Sequence, residues 1–358
     1  MAEAMTTHER VRRVYAGEIP DRVPFWDSPW EHTVKRWQAE GLPEDVSWVD
    51  YFGLDHKRII AVDNGPRLPT ETLEETEDYV IRRNDWGATL KHFKTHNSTD
   101  EALDFTVKSR DVWERQIKPR IRPKEDRIPW DRLKRDYPAW RARGDWIAGH
   151  GWFTFDVIHS RMVGTERLLI SLIDDSDWFV DMANHLLTLN LQLLDRVWEA
   201  GYTFDEFSFP DDLGYKLTQF MSLDMYRDLV KPYHKRVVEW AHRKGIVVYL
   251  HSCGDVRPFV PEFVELGIDC LNPLEVKAGM DPPTIKEQFG DRLVLHGGIN
   301  AVLWTDTEAI ERQIRGYLPK LKAGGRYIFG SDHSIPSAVS FEDFKRIVAL
   351  YKELGGYD

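Results

Sequence analysis

At 358 residues, with 42% hydrophobic and 30% charged residues, the chain has the balance of a globular protein with a sizeable core, at a length that α/β barrels fill as one unit. A formal net charge of −11 argues against a nucleic-acid backbone or an anionic membrane as partner. No run approaches the roughly 18 apolar residues of a membrane span. The first thirty residues carry Glu9, Arg10, Arg12, Arg13, Glu18, Asp21 and Arg22 instead of an apolar signal core, so a cytoplasmic protein is expected. Cys253 and Cys270 are expected free or metal-bound, not bridged.

In chain order, residues 6 to 17 read as an amphipathic helix that packs through Val11 and Val14 and stops at Gly17 and Pro20. A short strand is predicted over Asp21 to Trp26, a helix around 31 to 40, and a strand over Arg58 to Val62 that ends in the turn Asp63-Asn64-Gly65-Pro66. Residues 70 to 140 break into short, highly charged pieces, read as a β-hairpin excursion followed by amphipathic helix and expected to lean over one end of the main body. Strands are then predicted at Asp145–Gly149, Phe204–Phe209, Ile246–Leu250, Ile268–Leu271, Arg292–Leu295 and Arg326–Phe329. Helices between them are marked by Tyr226, Val230, Tyr233, Val237 and Ala241, by Ile310, Ile314, Leu318 and Leu321 behind a Thr305/Glu308 capping box, and by Phe344, Ile347, Val348 and Tyr351 behind Ser340. Eight strands alternating with helices predict a single-domain (β/α)8 TIM barrel over 1–358, with the 70–140 insertion near its mouth.

In such a barrel, chemistry sits on loops at the C-terminal strand ends. The residues there include Asp27, Asp63, His150, Asp211 and Asp212, His251 and Cys253, Asn272 and Glu275, His296 and Asn300, and Asp332 and His333. Part of this set is expected to be turn and cap chemistry, since polar residues follow strands in many proteins. His251 and Cys253 stand out: alternate residues of an extended chain face the same way, so imidazole and thiol can meet at one point as metal ligands or as a nucleophile and base. Cys270 alternates with Ile268 and is expected in the core. His333 is then the candidate third ligand, giving a mixed N/S set suited to catalytic zinc with an open fourth position.

The runs Asp21-Arg22-Val23-Pro24, Pro210-Asp211-Asp212-Leu213-Gly214, His251-Ser252-Cys253-Gly254-Asp255, Asn272-Pro273-Leu274-Glu275, His296-Gly297-Gly298-Ile299 and Gly330-Ser331-Asp332-His333, in this order, resemble the uroporphyrinogen decarboxylase superfamily over nearly the whole chain. That family is a (β/α)8 barrel. The His-x-Cys run is similar to the zinc motif of its corrinoid-dependent methyltransferase branch, whose members move methyl groups between a cobalamin protein and a thiol, an ether oxygen or a related group. The third ligand of that branch is usually a cysteine, and here His333 stands at its position. The resemblance implies Zn2+ and a corrinoid carried by a partner protein, because no cobalamin-binding domain is evident in the sequence; a homodimer is the candidate assembly.

The decarboxylase branch places its essential aspartate at Asp63 and a histidine at His333. Its arginine-rich carboxylate clamp is not evident, with Trp26-Asp27-Ser28-Pro29-Trp30 in that place, and its pocket tyrosine is missing from Gly151-Trp152-Phe153-Thr154-Phe155. Zinc-assisted methyl transfer to or from a small thiol or methoxylated substrate is therefore the leading expectation. A decarboxylase-like lyase acting on a tetrapyrrole, or a non-catalytic corrinoid- or tetrapyrrole-binding protein, is the alternative. Asp63, Asp211 and Asp212 are the expected catalytic carboxylates, and Trp26, Asp27, His150, Asn272, Glu275, His296, Asn300 and Asp332 the expected substrate contacts.

Overall fold

The computed structural model describes residues 4–94 and 100–357. Its main element is a seven-stranded sheet of β1 (Lys57–Ala61), β6 (Trp146–His150), β7 (Glu206–Pro210), β8 (Val247–His251), β9 (Cys270–Asn272), β10 (Val294–His296) and β11 (Tyr327–Ile328). The strands pair in parallel in that sequential order. Between β1 and β6 stands a separate antiparallel sheet of β2 (Glu71–Glu75), β3 (Tyr79–Arg83), β4 (Ala88–Phe93) and β5 (Glu101–Phe105). The expected single hairpin of the 70–140 region is thus a four-stranded meander; residues 95–99 of that region lie outside the described residues.

The predicted strand over Asp21–Trp26 does not form. This segment makes isolated bridges instead, Arg22 with Gly356 and Phe25 with Phe329. Pro20, Pro24 and Pro29 have no N–H to give a ladder. The segment still reaches both edges of the sheet: Phe329 N–H donates to the Pro24 carbonyl (2.8 Å) and Asp55 N–H to the Phe25 carbonyl (3.1 Å).

Strand parity divides the core. Ile147, Phe207, Val248, Leu250, Leu271, Leu295 and Tyr327 face the helices and join Leu186, Leu194, Val237, Ile314, Leu318, Phe344 and Val348 in the main core cluster. The opposite face carries Trp146, Tyr249, Cys270, Val294 and Ile328, capped by Val11 and Val14 from helix Thr7–Ala16. Each of those two fully buried valines contributes roughly 1.5–3 kcal/mol by leaving water. Gly17 ends that helix at φ +74°, as the sequence reading expects, and Thr6 caps its start by accepting from Glu9 N–H.

Two boundaries move. The helix Thr7–Ala16 is regular, but the one after β7 starts at Leu223–Met225 and passes through a π-helical turn, Tyr226–Val230, before Lys231–His242, because Pro232 cannot donate to the preceding turn. The helix Thr307–Lys322 is capped by Asp306, which accepts from Ala309 N–H, so the Thr305/Glu308 box is not used. Ser340 and Asp343 do form a reciprocal capping box. Among the described residues no helix is long and apolar enough to cross a membrane.

Candidate metal centre and its cavity

Two loops, at the ends of β7 and β8, build the centre together. Asp211 N–H donates to the His251 carbonyl (2.8 Å), the Ser252 hydroxyl donates to the Asp211 carbonyl (2.7 Å) and accepts from Leu213 N–H (3.1 Å), and Cys253 N–H donates to Asp212 Oδ1 (2.8 Å). The loops touch so closely at Gly254 that a Cβ there would lie 2.2 Å from the Gly214 carbonyl carbon, and its φ of +79° independently demands glycine. Gly254 N–H is held by Glu275 Oε2 at 2.6 Å.

This stitching brings Asp212, His251 and Cys253 together, each offering a ligand atom within 4.8 Å of the others. His251 Nε2 lies 3.3 Å from Cys253 Sγ and 3.8 Å from Asp212 Oδ1. Burial, with Asp212 and Glu275 adding to it, pushes the Cys253 thiol well above its ordinary range. Burial and the neighbouring Asp156 push Asp212 up to about 6, against the opposing pull of His251. Lys277, paired with Glu275 at 3.1 Å, offsets part of the push on the thiol, and a divalent cation at the cluster would favour the thiolate. The O/N/S donor set suits zinc and leaves coordination open for a substrate.

His333, the expected third ligand, falls outside this cluster, whose third member is Asp212. Its ring stands 6.3 Å from that of Trp30 in the wall of the adjoining cavity, and burial beside Lys277 lowers its pKa. The cavity, about 660 Å³, is lined by Trp26, Asp27, His150, Asn272 and His296 of the expected set, with Trp30, Trp48, Phe209 and Tyr249 as further aromatic walls. Asp27 accepts from Ser331 N–H and Oγ–H, each at 2.7 Å, and burial raises it to about 6. Burial and Lys57 push His150 down to about 4 and His296 to about 3, so both are neutral donors and acceptors.

Five expected site residues hold structure outside the cavity wall. Asp63 is paired with Arg67 and Arg127 at the root of the antiparallel sheet. Asp211 is fully buried, its carboxylate spent on His234 Nε2 (2.8 Å) and Asp156 N–H (2.8 Å). Asp332 accepts from Ala301 N–H and Val276 N–H, Glu275 from Gly254 N–H, and Asn300 caps a short helix by accepting from Val302 N–H. Each is the turn chemistry that strand ends need, since the buried backbone N–H groups there must find acceptors.

Sequence reasoning missed the cavity floor. Lys57 Nζ lies 2.5 Å from buried Glu206 Oε1 and 3.7 Å from the Tyr249 ring centroid, while Tyr15 and Trp146 donate to Glu206 Oε2. The signal for Tyr249 was present, because it shares the parity of His251.

An α/β protein with a parallel sheet and a half-buried Asp/His/Cys cluster at its strand ends is the class these features define. The family model for uroporphyrinogen decarboxylase (URO-D) matches residues 157–354, more than half of the chain, and the chain belongs to that family. Among solved structures it is similar to a methyltransferase from Methanosarcina mazei, 16% identical over 98% of this chain and 99% of that one, with a TM-score of 0.66, a likeness of fold. A B12-independent methionine synthase from a Shewanella species is more distant, 10% identical over 92% of this chain and 94% of that one, with a TM-score of 0.44. A comparison with curated proteins finds no match.

Proposed function

We propose that this URO-D family protein is a (β/α)8-type, zinc-assisted methyltransferase that moves a methyl group between a small thiol or methoxylated substrate in the cavity and a corrinoid brought by a partner protein. The juxtaposition of Asp212, His251 and Cys253 beside an aromatic-walled cavity carries this reading. Those three residues would hold the ion, with Asp212 in the place first assigned to His333. A bound zinc supplies a Lewis acid that keeps a thiol ionised or polarises an ether oxygen near neutral pH. The chain's own residues do the rest. Cys253 releases its Sγ proton to solvent as the site fills; Asp27, anchored by Ser331, offers an acceptor to a substrate hydroxyl or amide; neutral His150 adds a hydrogen-bonding nitrogen; and the Trp and Phe walls exclude water from the reacting group. A corrinoid brought by the partner would supply the methyl group to a substrate thiol, or take it from a methoxylated substrate, and the chain's part is to hold that thiol or ether oxygen in the cavity. The thiol proton leaves to water.

The cavity speaks against a polycarboxylate substrate. The Lys and Arg side chains lining it, Lys57 and Arg58, are engaged by Glu206 and Asp145. We expect one zinc per chain by elemental analysis, and stoichiometry lowered by Cys253→Ala or Asp212→Asn with little change in melting temperature, because a rim site adds little to a core built elsewhere. Free or carrier-bound methylcobalamin should lose its methyl group with one of a panel of thiols, or reduced cobalamin gain one from an aryl methyl ether, as read by cobalamin absorbance. Conversion of uroporphyrinogen to coproporphyrinogen would overturn this assignment.

A further inference from the structure

Inside the sheet, a continuous line of side chains runs from the centre to the main chain of the N-terminal segment, and its members come from adjacent strands in register. His251 is paired with Asn272 across β8 and β9, and the β9 to β10 register, Cys270 with Val294, carries Asn272 to His296. His251 Nδ1 lies 2.6 Å from Asn272 Oδ1. Asn272 Nδ2 lies 3.2 Å from the His296 carbonyl and 3.1 Å from His296 Nδ1. Tyr249 Oη lies 2.7 Å from the same Nδ1, and His296 Nε2 lies 3.2 Å from the Trp26 carbonyl.

Two of these atoms are main-chain carbonyls, which can only accept, and they decide the direction of every bond between. The Trp26 carbonyl requires the proton of neutral His296 on Nε2. His296 Nδ1 is then a bare acceptor for Tyr249 O–H and the Asn272 amide. The His296 carbonyl independently fixes the Asn272 –NH2 on its own side, so Oδ1 points to His251. His251 must therefore carry its proton on Nδ1, and its Nε2 lone pair faces Cys253 Sγ and Asp212.

We infer that Asn272, with His296 and Tyr249 behind it, is a positioning residue that locks the neutral ring of His251 as the Nδ1–H tautomer, so that the Nε2 lone pair is aimed at Cys253 and Asp212 before any ion arrives. The inference rests on the reading that His251 serves a metal, but the lock exists in the metal-free chain and is measurable there. It is also the opposite of the tautomer a solvated imidazole prefers. Without it the site would have to move a proton between ring nitrogens, or turn the ring, on each loading.

The test is two-dimensional NMR of 15N-histidine-labelled, metal-free protein, with His251 assigned by comparison with His251→Gln, alongside zinc titration. The parent should show Nδ1–H at His251. Asn272→Leu, which has no acceptor, should lose that form and bind zinc about 10- to 100-fold more weakly. Asn272→Asp, which keeps an acceptor opposite His251 but loses the donor to the His296 carbonyl, should retain the Nδ1–H tautomer, which a merely packing role for Asn272 would not predict; its tautomer is also the readout if the leucine variant does not fold. An Nε2–H His251 in the parent, or an unchanged tautomer in Asn272→Leu, overturns the proposal. A parent that shows the Nδ1–H tautomer and yet takes up no zinc would leave the lock standing and remove the metal reading.

Discussion

At the scale of single residues, the cavity sets groups against one another in pH. His296 is held neutral down to about 3, so between its ordinary value near 6.5 and that point the unfolded chain takes up a proton that the native chain does not. Native stability therefore falls on acidification through this window, by up to about 1.4 kcal/mol per pH unit. Asp27, raised to about 6, acts with opposite sign: between there and its ordinary value the native chain takes the proton, and stability rises as pH falls. We predict that His296→Gln loses less stability than the parent between pH 7 and pH 4.5, and that Asp27→Asn loses more, read as the shift of urea midpoint with pH. Equal slopes in all three proteins would mean that both groups titrate normally. The sequence made these residues legible as strand-end candidates, and it made His251 and Cys253 legible by alternation alone. It could not show that Asp212, rather than His333, stands beside His251 and Cys253, because that juxtaposition depends on the β7 and β8 loops closing on each other through Gly214 and Gly254.

Among the elements, the parallel strands with unbroken apolar parity were readable, and the ones that failed did so for stated reasons. Asp21–Trp26 has strand-like hydrophobicity but prolines on both sides, and it bridges the sheet edges where it was expected to extend the sheet. The insertion was readable as β-structure, but its four-strand pairing was not, since β2 and β5 are largely exposed and carry little apolar signal. Its root explains Asp63. Arg127, 3% exposed, donates from Nη1 to the Asp63 and Gly65 carbonyls and from Nη2 to the Arg120 carbonyl, and it pairs with the Asp63 carboxylate. Arg127→Met removes donors from three main-chain acceptors, one of them buried, and we predict a loss of roughly 2 kcal/mol. Zinc stoichiometry should be unchanged, because none of these partners touches Asp212, His251 or Cys253. Reduced zinc in a variant that still folds would return Asp63 and its loop to the active centre.

For the whole molecule, the remaining question is what joins the first and last parts of the chain to the sheet where regular pairing is absent. Asp55, 1% exposed and two residues before β1, answers it. Its carboxylate accepts from Arg10 Nη1 (2.6 Å) and Thr7 Oγ1 (3.2 Å) of the N-terminal helix, and from Arg22 Nη1 (2.6 Å) and Phe25 N–H (2.8 Å) of the bridging segment. Arg22 in turn donates to the hydroxyl of Tyr351 on the last helix (2.7 Å), and Arg10 is held on its other side by Asp21 (2.6 Å). One buried anion thus fastens three distant pieces of sequence across the gap between β11 and β1. Asp55→Asn keeps the shape but leaves Arg10, itself almost wholly buried, and Arg22 short of a counter-charge. We predict a loss of roughly 3 kcal/mol, the low end of the cost of breaking a buried pair, because Asp21 stays on Arg10. Protease cleavage should begin within residues 4–30 well before the rest of the chain is cut, because that segment has only single bridges to fall back on. Uniform cutting, or an unchanged urea midpoint, would show that apolar packing of Val11, Val14 and Phe25 suffices to hold the segment without Asp55.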